Sequence, residues 1–237
     1  MSAEEYISAA LHRLIKRKEP ELSSDGFFLF AALHMLMLAL TFGARFAPGW
    51  PLAFLRVLLL SLATDNTVVA LGAVSLEAPW YELLTRLRYA LHALVLPGLS
   101  LYGLALPGPQ KPAIWRAVVW PLALGCLLYG AWHEIVELVL QPAGAGQVPR
   151  LVSTQPGPPW ATVVGNLVFL VLSGACWYRR GWPWAFVGGL VILLVNGALA
   201  GSALALPAGA LAELQFLLLL LWTESRRPFF TQHALSR

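Results

Sequence analysis

The chain has 237 residues, of which 58% are hydrophobic and 12% charged. Soluble domains carry about a quarter charged residues, and the mean hydropathy here is +0.68. These values exclude an ordinary soluble globular protein, a disordered chain and a nucleic-acid module. The net charge of +4 is what the loops of a membrane protein carry, and it is not read as a nucleic-acid footprint.

In chain order, residues 1–24 come before the first apolar run. Tyr6, Ile7, Ala10, Leu11, Leu14 and Ile15 recur at helical spacing beside Arg13, Lys16, Arg17 and Lys18. That pattern predicts an amphipathic helix on the membrane surface. It lacks the apolar stretch of a cleavable signal peptide.

Seven apolar runs of membrane-spanning length follow: Phe27–Phe46, Leu52–Leu76, Leu83–Leu106, Ile114–Leu140, Trp160–Tyr178, Pro183–Ala205 and Ala208–Thr223. Proline and glycine punctuate them at Pro48-Gly49, Pro79, Pro107-Gly108-Pro109, Gly181-Trp182-Pro183 and Pro207. The Pro/Gly-rich segment 141–159 is the longest loop. The expected fold is all-α: one up-and-down bundle of seven transmembrane helices over 25–224, with a C-terminal tail over 225–237. Cys126 and Cys176 lie inside apolar runs and read as small packing residues.

Seven spans put the termini on opposite sides. Basic residues number nine on the C-terminal side and seven on the other, which favours a cytoplasmic C-terminus. Acids are far more lopsided, with Glu224 alone on the C-terminal side.

Ionisable groups inside a bilayer are costly and mark functional sites by default. Here they sort by depth. His34, Asp65, Asn66, Arg88, His92, His133, Glu134, Glu137, Asn166, Asn196 and Glu213 all fall roughly 5–15 Å from the N-terminal side, at 1.5 Å per helical residue. One polar cavity open to that side would produce such sorting. Arg88 and His92 are i, i+4, as are His133 and Glu137, so each pair shares a helix face. Three chemistries follow. His92, His133 and Glu137, with Asp65, are ligand types for a divalent metal, with Glu134 as base toward a metal-bound water. A carboxyl in an apolar cavity can act as general acid without metal, and Asp65 is the deepest. A salt-bridged network, with Arg88 paired to Asp65 or Glu134, needs no ligand at all. Asn66, Asn166, Asn196 and Glu213 are placed around a substrate. For Asn166 and Asn196 a role as interhelical glue is the alternative, and for Glu213 a carboxylate favoured by the helix dipole.

Some classes are excluded. Lys16, Lys18 and Lys111 are the only lysines and none lies in a span, so no retinal Schiff base is available. No H-x-x-x-H or D-G-x-x-A-R motif is present. In helix count, and in acids on the second and last spans, Asp65 and Glu213, the chain resembles the small seven-helix membrane terpene cyclases, which carry catalytic carboxyls on those helices. The resemblance covers those features and no local motif. The expected function is an intramembrane enzyme on a lipid or isoprenoid substrate, with Asp65, Arg88, His92, His133, Glu134 and Glu137 around the reacting centre. The alternatives are a haem- or metal-binding subunit using His34, His92 or His133, and a small-solute transporter.

Overall fold

A computed structural model describes residues 24–106, 112–143, 148–155, 158–202 and 204–227. The surface helix expected over 1–24 lies outside the described residues, Ser24 apart, as does the tail from 228 onward. The described chain is all-α apart from one small hairpin. Its elements are α1 (Ser24–Leu40), α2 (Trp50–Ser75), α3 (Pro79–Val95), α4 (Gly98–Ala105), α5 (Ala113–Ala131) continued by a π turn (Trp132–Val136), β1 (Leu140–Ala143), β2 (Arg150–Ser153), α6 (Trp160–Arg180), α7 (Trp184–Ala198) and α8 (Ala205–Ser225). Four helices are long and apolar enough to cross a membrane: α2, α5 with its π turn, α6 and α8; α1 and α7 are shorter and apolar.

Local chemistry sets several boundaries. Pro51 and Pro79 sit in the first turn of α2 and α3, where a missing N–H costs nothing. Gly181 closes α6 in the left-handed region at φ 65°, and its N–H donates to Trp177 O at 2.7 Å. Two expected spans differ from the sequence reading. The first stops at Leu40 rather than Phe46, because the Thr41 carbonyl accepts from Arg56 Nη2 at 2.8 Å instead of from the next helical turn. The third, read as continuous over Leu83–Leu106, is jointed at Pro97. Proline has no N–H to donate to Ala93 O, four residues back, and the chain resumes as the short α4.

The fourth span and the loop after it also depart from expectation. The α-helical ladder of α5 ends at Ala131 and one wider π turn follows, so the helix does not run to Leu140. The 141–159 loop contains an antiparallel hairpin, with Leu140 opposite Ser153 and Ala143 opposite Arg150.

Each helix packs on its chain neighbour, and α8 closes the ring against α1 and α2. The main core lies toward the end opposite the polar groups and includes Leu55, Leu59, Tyr102, Phe169, Phe216 and Leu217. Phe169 is the hub: its ring lies 5.6 Å from Phe216 and 6.4 Å from Tyr102. Gly189 permits this, since a Cβ there would come within 2.9 Å of the Phe169 ring. Close approach at small residues is how helices associate where lipid removes the hydrophobic drive. The outer surface is apolar, as along α5, where Ile114, Val118, Trp120, Leu124 and Leu128 are all exposed. Cys126 and Cys176 are buried free thiols.

At the core end the helices are tied across the bundle. Arg56 Nε donates to Thr41 Oγ1 at 2.9 Å, and Trp182 Nε1 to Thr223 Oγ1 at 3.0 Å. Arg227 donates to Glu224 and to Ala105 O. Burial works against the Arg227 charge, but its bonds to Glu224 outweigh burial and raise its pKa.

Candidate functional site

The opposite end holds the polar cluster. Asp65 projects from the middle of α2 and Arg88 from α3, and Arg88 Nε donates directly to Asp65 Oδ1. One helical turn along α3, His92 Nδ1 lies 3.6 Å from the same oxygen and 3.3 Å from Arg88 O. Both neighbours of Nδ1 are acceptors. Nδ1 therefore carries a proton, and Nε2 is left to face elsewhere.

The π turn supplies the other wall. Its extra residue per turn rotates the side chains after Ala131, and π turns of this kind are frequent at functional sites. His133 Nδ1 donates to Glu137 Oε2 at 3.1 Å, so His133 also presents Nε2 outward. Glu137 is exposed, and its hydrogen bond from His133 holds its carboxyl below the usual glutamate range. Glu134 makes no hydrogen bond or ion pair among the described residues; His92, His133 and Arg88 are its electrostatic neighbours.

These groups face a cavity of about 310 Å³ lined by Arg88, Tyr89, His92, His133 and Glu134, with Val152, Ser153, Gln155, Pro158 and Pro159 across from them. The hairpin roofs it. The Ser153 N–H donates to Tyr89 Oη at 2.8 Å, and Gln155 Nε2 to Glu137 O at 3.0 Å. At the hairpin's far side Val148 packs with Phe27, Val69 and Ala210 in a second small core. Gly72 makes this seat possible, because a Cβ there would lie 2.0 Å from Pro149 O.

Beyond this cavity the α3–α5 seam turns apolar. Gly130 meets Ala93 there: a Cβ on Gly130 would lie 3.3 Å from Ala93 O, the carbonyl that Pro97 leaves without its helical donor. Past the crossing is a groove of about 660 Å³ lined by residues such as Phe54, Leu94, Val95, Leu101, Trp120 and Leu124. His92 of the polar cavity and Val95 of the groove are three residues apart, about 4.5 Å along the helix.

The residues singled out from sequence divide as follows. Asp65, Arg88, His92, His133 and Glu134 come together. Glu137 stands outside the cavity, behind His133. Glu213 on α8 has Asp65 and Arg88 as electrostatic neighbours, and buried His34 on α1 has Asp65. The asparagines do not line the cavity. Asn66 Nδ2 donates to Leu62 O of its own helix. Asn166 is buried between helices, and its Oδ1 has no partner among the described residues. Asn196 is exposed at the end of α7, over Gly209.

The ligand trio His92, His133 and Glu137 is not assembled. Among the described residues no three His, Cys, Asp or Glu side chains are grouped to hold a metal ion; His92 belongs to Asp65 and His133 to Glu137. Tyr89 and the hairpin residues were missed by sequence reasoning. Tyr89 adjoins Arg88 in sequence, which was the available signal. The hairpin carries none, since its lining residues are ordinary loop types.

No protein-family model, curated protein or solved structure matches this chain. The geometry therefore carries the functional argument alone.

Proposed function

We propose that the chain is a multi-pass membrane protein of seven spans, α3 and α4 forming one, that acts as an enzyme on a lipid or isoprenoid substrate by acid–base chemistry. The observation that carries this reading is the seam between α3 and α5. It offers a polar cavity with two imidazoles, a guanidinium and a carboxyl at one end and an apolar groove at the other. That division matches an amphiphile whose head occupies the cavity and whose chain lies along the groove. Along α5 Ile114, Val118, Trp120, Leu124 and Leu128 form an exposed apolar face, which lipid tails would cover.

The roles follow from hydrogen bonding. His133, its Nδ1–H held by Glu137, presents Nε2 as general base, the arrangement a carboxylate imposes on a catalytic histidine. Glu134, which makes no hydrogen bond or ion pair among the described residues, exchanges the second proton. Arg88 stabilises negative charge as it develops, and Asp65 is the positioning residue that fixes Arg88. The opposite end is closed by packed core and the Glu224 ties, which favours an enzyme over a transporter that needs polar groups along the whole path. The excess of basic residues on the C-terminal side supports a cytoplasmic C-terminus.

The test is a comparison of lipid extracts, by mass spectrometry, from cells with and without the protein. The expected result is a lipid or isoprenoid species that changes with the wild type and returns to the background level with Glu134→Gln and with His133→Ala. Identical profiles in all four samples would overturn the reading.

A further inference from the structure

Arg88 is only half used. Its Nε is spent on Asp65, yet neither Nη nitrogen makes a hydrogen bond among the described residues. The guanidinium lines the polar cavity with its side chain 16% exposed. An arginine fixed through Nε by a buried carboxylate cannot swing away, and its two Nη groups form a planar fork that matches the oxygens of a phosphate or carboxylate. The histidines beside it complete a donor set when protonated, since His92 and His133 both keep Nδ1 occupied and leave Nε2 free to serve.

A second observation points the same way. Arg150 of β2 lies in the field of Arg88, and its charge is disfavoured, first by burial and next by that neighbouring guanidinium. On the cavity wall a cationic ligand would meet the Arg88 guanidinium and one carboxyl, that of Glu134.

We propose that the Arg88 fork is the anchor for an oxyanion, the phosphate or carboxylate head of the amphiphile, with Asp65 as its positioning residue. This inference rests on the lipid-substrate reading above for the chain that follows the head. The same oxyanion chemistry is offered by a lipid head group and by free phosphate, and the experiment separates them.

Purified full-length protein in an uncharged detergent is titrated with decyl phosphate, decanol, decyltrimethylammonium and inorganic phosphate, binding being followed by tryptophan fluorescence. Decyl phosphate is expected to bind at least about tenfold more tightly than decanol, the value of one charge-assisted hydrogen bond. Arg88→Lys, which keeps the charge and loses the fork, should weaken decyl phosphate about tenfold or more. The exposed Arg116→Gln should leave it unchanged. Because Arg88→Gln alone would strand Asp65, the paired variant Asp65→Asn with Arg88→Gln serves as the neutral control, and it should lose most of the preference for decyl phosphate over decanol.

Equal binding of decyl phosphate and decanol by the wild type, or tighter binding of decyltrimethylammonium, overturns the oxyanion anchor and leaves the lipid site standing. Inorganic phosphate binding as tightly as decyl phosphate, with the same Arg88→Lys loss, keeps the anchor and removes the lipid as its source. Failure of every probe overturns both.

Discussion

Tyr102 Oη donates to Glu224 Oε1 at 2.6 Å across 122 positions of sequence, and both side chains are fully enclosed. The bond joins α4 to the last turn of α8, and Arg227 completes the carboxylate's partners from the next turn. Removing Glu224 takes an acceptor from a buried phenol and from Arg227 at once. Glu224→Ala should lower stability by about 3–5 kcal/mol, and Tyr102→Phe by about 1–3 kcal/mol. Reversible unfolding in mixed micelles would measure both. A loss under 1 kcal/mol for Glu224→Ala would mean the tie is not a structural support.

The Asp65–Arg88 pair should behave as a unit. Asp65→Asn leaves a buried guanidinium without its counter-charge and should cost about 3–5 kcal/mol. Adding Arg88→Gln should restore much of that loss, since two neutral amides can still hydrogen-bond. Unfolding of the two single variants and the double variant closes the cycle. Simple additivity would show that the residues do not interact in the folded protein.

Two glycines make opposite predictions. Gly72→Ala pushes a methyl into Pro149 O and must lift the hairpin. Amide exchange at Ser153 and Thr154, whose N–H groups bond Tyr89 and Val139, should then speed up. Gly125→Ala meets nothing within 4 Å in the middle of α5. It should stabilise by about 0.5–1 kcal/mol. A slower-exchanging hairpin in Gly72→Ala would contradict the seat described for Pro149.

Protonation offers a further check at the π turn. The hydrogen bond from His133 depresses the Glu137 carboxyl below the ordinary value of 4.5. A depressed carboxylate contributes its stabilisation above its unfolded pKa and loses it as pH falls through the folded one. The His133–Glu137 contact should thus persist at pH 4.5 and break only in more acidic solution. Carbon-13 NMR titration of the Glu137 carboxyl should show its midpoint rising in His133→Ala; no movement would remove His133 as the cause.

The sequence made the polar end legible because cost filters it. Charged groups survive inside apolar runs only for a reason, so Asp65, Arg88, His92, His133 and Glu134 stood out, and the structure gathers them. The pairing of Arg88 with Asp65 was already among the readings. Pro97 did not register as a joint because the residues around it stay apolar on both sides, and a kink leaves no gap in hydropathy. The hairpin left no trace either: strands of four residues, one of them bearing Pro142, are too short to display alternation. The metal trio failed because i, i+4 spacing guarantees a shared helix face and says nothing of the distance between two helices.

The cross-helix ties at Thr41, Tyr102, Trp182 and Glu224 have a mechanical meaning. They fasten the rods at one end, while the other end is closed by the Asp65–Arg88 pair, the two hairpin bonds and the small core around Val148. A change of angle at the fastened end is magnified along the helices, so loosening the Glu224 tie is expected to be felt at the cavity as well. Stiffness at Glu224 thus helps to hold the shape of the cavity at the far face.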